Sequence, residues 1–279
     1  MRIQYRDFII FHLSIHSQSF KMMKPFLQVV VFFFINVTYI FAQNQNKENT
    51  IIYERSLNMH AFIRAQRTYD QSSDLKINEY RKSNPQFLKV NYILEFDKFH
   101  SFFREVINSK NTTGGIYEQY TELGMKNTVY SKHTDSTYQI KKEIFSNTFF
   151  IKDRRKQVKW KITDENREIL GHNCIRANGL LNDSIYLVAF FSPTIPYDVG
   201  PECIGGLPGA ILSLYLPDDN VSYIAKEINN QSAISNESQE FLKYFSRQSL
   251  NFQEFKQRIS PLIDNLLGGK ERVKRLVEL

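Results

Sequence analysis

Two rhythms divide the chain. From Thr50 to Ile228, short apolar and β-branched runs alternate with polar turns, the pattern of antiparallel strands. From Ser238 to Leu279, Phe241, Leu242, Phe245, Phe252, Phe255, Ile259, Leu262 and Ile263 recur at helical spacing. Strands are predicted at Thr50–His60, Thr128–Thr134, Tyr138–Phe145, Phe149–Asp153 and Val158–Thr163. Gln86–Val106 is long enough for two more, with a corner at Asp97–Lys98, whereas Ile63–Pro85 is polar and irregular and Asn108–Gly115 reads as a loop. In Val158–Thr163, Val158, Trp160 and Ile162 share one face, because successive side chains of a strand point to opposite sides. "DENRE" (Asp164–Glu168) is the expected turn and Ile169–Gly179 the returning strand. "SIYLVAFFS" (Ser184–Ser192) is apolar on both faces, which predicts a strand covered on two sides. A Pro-started turn joins Ala210–Leu216 to Val221–Ile228 as a hairpin. Pro261 and Gly268-Gly269 are expected to split the tail into two or three helical pieces.

The expected fold is α+β: a curved antiparallel β-sheet, half-open and barrel-like, with the C-terminal helices packed against it. Residues 51–237 form the β domain and 238–279 the helical segment. The first fifty residues read differently. In Met22–Lys47 a lysine precedes an apolar run from Phe26 to Phe41, and Ala42-Gln43 and a polar stretch follow it. That is the layout of a secretory signal peptide over 22–42, with Ile40 and Ala42 at the −3 and −1 positions of the cut. Residues 1–21 read as an over-long start-site extension and 43–50 as a disordered linker; an uncleaved membrane anchor is the other reading. No cysteine follows the apolar run, which disfavours a lipid anchor.

Charge changes the picture little. Removing Arg2, Arg6, Lys21, Lys24 and Asp7 lowers the formal charge from +7 to +4 and leaves 237 residues. The densest basic run, Lys152–Lys161, is spread along a strand pattern and lacks the one-faced clustering of nucleic-acid readers, so no nucleic-acid partner is expected. His60, His100, His133 and His172 show no zinc-ligand spacing, and no nucleophile elbow or phosphate loop is present; neither metal nor cofactor is expected. Cys174 and Cys203 both fall in the exported part, where they can form a disulfide or remain buried thiols. A Cys203 nucleophile would need a base, and His172 is the nearest histidine in sequence.

Prolines and glycines crowd one stretch: four of the eight prolines and four of the eleven glycines lie between Ser192 and Gly209. Gly200, Pro201, Gly205, Gly206, Leu207, Pro208 and Gly209 read as a rigid structural corner. Pro208 and Gly209 suit a type II turn, with positive φ at Gly209. Trp160, Tyr186, Val188, Phe190 and Ile195 are candidates to line an apolar cavity beside it.

The same stretch, "GPECIGGLPGAIL", resembles the signature of the GLPGLI family of exported Bacteroidota proteins. "FFIKDRRKQVKWKITDENREILGHNCIRANG" and "LVAFFSPTIPYDVGP" are similar to the neighbouring family patterns, so the likeness is continuous over Phe149–Ile228. Ala210 stands where the motif has Leu, Phe190 where Trp is usual, and Cys203 where a bulky or basic residue is common. The resemblance implies an exported, largely β protein with no assigned reaction and brings no catalytic residues. The expected function is non-enzymatic, in the periplasm or cell envelope: binding a lipid or other apolar ligand in a concave cavity, or an outer-membrane protein partner. An envelope-assembly scaffold working through surface or sheet-edge contacts is the alternative, and a hydrolase is the lesser one. The mature protein is expected to begin at Gln43. Amino-terminal sequencing of the exported form checks this, and a product retaining 22–42 would refute it.

Overall fold

The computed structural model describes residues 49–65, 78–106, 126–144, 147–229, 236–245, 249–264 and 270–279. The expected leader at 22–42, its extension 1–21 and the loop at Asn108–Gly115 lie outside these residues. Of the expected linker, Asn49 and Thr50 instead open the first strand.

Chain order is β1 (Asn49–Asn58), α1 (Met59–Ala65), β2 (Phe87–Phe96), β3 (His100–Glu105), β4 (Lys126–Lys132), β5 (Thr137–Ile144), β6 (Asn147–Arg154), β7 (Val158–Ile169), β8 (His172–Leu181), β9 (Ile185–Ser192), β10 (Ala210–Leu216) and β11 (Val221–Asn229). Three helices follow: α2 (Asn236–Tyr244), α3 (Phe252–Asp264) and α4 (Lys270–Val277). The eleven strands form one antiparallel sheet in the order β6-β5-β4-β3-β2-β1-β11-β10-β9-β8-β7. It is mostly β, open rather than closed, with helices at the carboxy terminus.

The two edge strands, β6 and β7, are consecutive in sequence. Laid flat, eleven strands would set them about 48 Å apart. Only Arg155, Lys156 and Gln157 separate them, a reach of roughly 14 Å. That end of the sheet therefore has to curl. Its inner face carries Ile51, Tyr53 and Leu57 of β1, Tyr92 and Leu94 of β2, Phe103 of β3 and Leu214 of β10, all buried. Phe255, Ile259 and Ile263 of α3 and Val273 and Leu276 of α4 join the same core. Packed on the other face is α2, whose Phe241 and Phe245 meet Phe102 in a separate cluster.

Asn251 and Glu254 open α3 with a reciprocal capping box, each side chain accepting from the other's backbone N–H at 2.9 and 2.8 Å. Pro261 sits inside this helix and does not break it. It lies in the last turn, and the buried Ile259 and Ile263 on either side hold that turn against the sheet.

The expected turn at Asp164–Glu168 is not there. Strand β7 runs on to Ile169 through a register shift between Ile162 and Asn166, and the chain reverses at Leu170 and Gly171, both at positive φ (51° and 78°). An edge strand with solvent on both faces carries charge on both, so these residues read as a turn.

The Pro/Gly corner also differs from expectation. Among its glycines only Gly206 has positive φ, at 91°, so Leu207–Ala210 is not a type II turn. Gly209 is needed for closeness instead: a Cβ there would lie 2.1 Å from the Ser192 carbonyl oxygen. Corner and β9 are thus in backbone contact. Gly209→Ala is expected to destabilise the fold by about 3 kcal/mol or more, since neither backbone can give way cheaply. Gly171→Ala, with open space around it, should cost only about 1 kcal/mol for its φ. Urea unfolding of both variants checks this, and equal losses would refute the close-packing account.

Candidate functional site

On β1 the inward positions run Ile51, Tyr53, Arg55, Leu57, placing an arginine in an apolar row. Arg55 is fully buried. A buried cation must be paired and hydrogen-bonded, because desolvating it costs several kcal/mol. The register sets Arg55 directly opposite Tyr223 of β11, and its Nε donates to the Tyr223 hydroxyl at 3.0 Å. That hydroxyl in turn donates to Oε1 of Glu202 at 2.7 Å. The second oxygen of Glu202 accepts from Asn127 Nδ2 of β4 at 2.9 Å.

Glu202 belongs to the corner between β9 and β10 and is 3% exposed. Its φ of +59° is the left-handed region, strained by about 1–2 kcal/mol for a residue with a Cβ. Two hydrogen bonds to the carboxylate hold it there. Asn127 and Tyr223 sit four strands apart, about 19 Å on a flat sheet. Both bond one carboxylate, so the corner bridges the inner face from β4 to β11.

Lys142 of β5 lies opposite Asn127 in register and is also fully buried. Burial pushes its amine pKa down, the Glu202 carboxylate works against that shift, and Arg55 adds to it. Tyr92 of β2 stacks on Phe103 at 4.8 Å with planes 2° apart. Burial raises the Tyr92 and Tyr223 hydroxyl pKa values, so both remain proton donors. Both terminal nitrogens of Arg55, Lys142 Nζ, the Tyr92 hydroxyl and Asn127 Oδ1 have no hydrogen-bond partner among the described residues.

Around Glu202 the corner is packed. Gly200 and Pro201 are buried, as are Val199, Ile204 and Leu207. From the first residue after β6, Arg155 donates to the Cys203 carbonyl and pairs with Asp198 at 2.7 Å. Trp160 of β7 donates to the Gly205 carbonyl at 2.8 Å. Both ends of the sheet therefore grip this loop. The Arg155 guanidinium occupies the space a Cβ at Gly205 would take, so a side chain there would displace this grip.

Of the two states open to Cys174 and Cys203, the structure shows free, buried thiols. Cys174 points at the His172 carbonyl from β8, and burial raises its pKa to about 11. Cys203 faces the Leu279 carbonyl instead, and burial raises its pKa too. His172 bonds Thr194 at 2.8 Å, and among the described residues no hydrogen bond joins it to Cys203. The described residues contain no group of metal-binding side chains.

The candidate cavity-lining residues part company. Trp160 and Ile195 belong to the corner and its support. Val188 and Phe190 instead line a groove of about 490 Å³ on the opposite face, with Arg167, Arg176, Tyr215 and Phe87. Nearby Tyr186, exposed, donates to Asn178 at 3.2 Å. The Arg167 guanidinium lies 4.4 Å over the Phe190 ring and donates to the Tyr215 hydroxyl at 3.4 Å. Arg176 is paired with Glu165.

No family model matches the chain, and no curated protein matches it. Solved structures of PNGF-II are similar in two crystal forms. The P21 form gives 12% identity and a TM-score of 0.48, the C2 form 13% and 0.46. Each match covers 76% of this chain and 32% of the other, so this chain spans about a third of the length of those proteins.

Tyr223→Phe removes one hydroxyl and leaves both Arg55 and Glu202 short of a bond while buried. It is expected to cost about 1–3 kcal/mol in urea unfolding. An unchanged midpoint would show that the Arg55–Tyr223–Glu202 chain carries no stability.

Proposed function

We propose that this chain is an exported cell-envelope protein of the GLPGLI type that acts by binding, without catalysis. In this reading the sheet is a half-open barrel whose inner face is filled by its own corner and tail. An acyl chain sheltered inside, the first expectation for such a curve, has little room among Phe103, Leu214, Phe255 and Ile259. The ligand is an amphiphile, with an apolar body and an acidic head, held in the groove on the opposite face.

One observation carries this. Arg167 lies over Phe190 at the groove with no carboxylate partner among the described residues, while neighbouring Arg176 is already neutralised by Glu165. A cation spread on an aromatic floor suits a ligand that brings both a negative group and an apolar surface. Sheet-edge binding has less support. The β6 edge is capped by Leu250, which exchanges bonds with Phe150 and Lys152 at 2.9 Å. The β7 edge is charged and has an irregular register, a pattern that blocks strand addition.

Native mass spectrometry of protein purified from its own envelope fraction tests the reading. An acidic amphiphile is expected to co-purify, and Arg167→Ala should weaken its binding about tenfold or more, as loss of a charged contact does. A co-purifying protein with no small amphiphile would overturn it in favour of the scaffold.

A further inference from the structure

The inner cluster holds more donors than its own acceptors use. Glu105 of β3, opposite Tyr92 in register, is half-buried at the cluster's edge. Glu202 is the only carboxylate hydrogen-bonded within the cluster among the described residues, and both of its oxygens already accept, from Tyr223 and Asn127. Against that one carboxylate stand Arg55 and Lys142, both fully buried. The terminal nitrogens of Arg55, Lys142 Nζ and the Tyr92 hydroxyl are left without a partner among the described residues. Unpaired donors at this depth are rare in folded proteins, and unpaired cations rarer.

These groups are linked through shared partners. Arg55 is the cross-strand partner of Tyr223 and Lys142 that of Asn127, and Tyr223 and Asn127 bond the same carboxylate. Tyr92 pairs with Tyr53, two residues along β1 from Arg55, so its ring is a diagonal neighbour on the same face. The charges of Arg55 and Glu202 both act on Lys142.

We propose that Arg55, Lys142 and Tyr92 form an internal binding site for a small oxyanion, a carboxylate or phosphate group, enclosed by the corner that carries Glu202. A planar guanidinium supplies paired N–H groups, an ammonium supplies a point charge and a phenol supplies a directional donor. Glu202 positions Tyr223 and Asn127, and two buried cations face its one carboxylate. The corner's proline- and glycine-rich construction then serves to close the sheet over this site. The proposal does not rest on the outer groove or its amphiphile, because different residues on the other face of the sheet carry it.

Equilibrium unfolding of the full chain in urea tests it, since a buried site can load and empty as the protein folds and unfolds. Inorganic phosphate and acetate are the two probes, each titrated at ionic strength held constant with chloride. Phosphate also stabilises proteins non-specifically, so Lys142→Met is run in parallel. The native protein's midpoint should rise with one probe, and the variant should lose most of that rise. The responding probe distinguishes a phosphate group from a carboxylate. If Lys142 is simply an unpaired buried cation, Lys142→Met will be more stable than the native protein and both will respond to the anions alike. That result overturns the site. Lys142→Arg, which keeps the charge, should retain part of the response; a fully flat response in a folded Arg variant together with a rise in the Met variant would also overturn it.

Discussion

A fully buried arginine is the constraint on which the rest of the structure depends. Arg55 stands in the middle of β1, the strand joining the two halves of the sheet. Desolvation makes that position untenable unless negative charge is brought to it. The neighbouring strands supply Tyr223 and Tyr92, which are neutral, so the carboxylate has to come from elsewhere. It comes from the corner. Glu202 reaches the interior only because the chain between β9 and β10 folds back across the inner face and accepts a left-handed residue at the tip. The glycines, the close backbone contact at Ser192 and the grips from Arg155 and Trp160 are consequences of holding that one carboxylate in place.

Much of the scaffold is legible in residue order, for a clear reason. Strands such as Thr137–Ile144 and Ala210–Leu216 have one face or both in the core, so their apolar periodicity survives. The corner at Asp97–Lys98 is equally plain, with Asp97 capping the turn by accepting from the Phe99 and His100 amides at 2.6 Å. Asp164–Glu168 misleads because exposure on both faces erases periodicity. Gly209 misleads for another reason: a glycine needed to let two backbones touch looks the same in sequence as one needed for positive φ.

The inner cluster was half visible. In residues 51–57 and Thr137–Ile144 the inward positions are apolar or aromatic except Arg55 and Lys142, and both breaks can be found by counting in twos. Nothing local marks Glu202. Its neighbours Pro201 and Cys203 attract attention for stiffness and for sulfur, and its partners lie 75 positions before and 21 after it. Long-range pairing of this kind is set by how the sheet curls, which no short window contains. The two thiols show the same limit. Oxidising surroundings permit a bridge, but the fold turns one cysteine toward His172 on β8 and the other toward the chain end.

Strand register ties the two faces of the sheet together. Arg55 and Tyr223 point inward as a directly opposed pair, and the next pair, Ser56 and Ser222, points outward to the groove. A slip of one residue would carry Arg55 into solvent and turn its neighbour Glu54 inward, away from Lys89 and Lys226. An apolar pair in place of Arg55 and Tyr223 would bury as well but would tolerate more registers, because apolar contact is not directional. The chain Arg55–Tyr223–Glu202 is satisfied in one register only. Register also decides which side chains the groove receives from β1 and β11, so the charge buried on the inner face keeps the outer face in order. The cost of burying it is offset on the inside and its benefit extends to the outside.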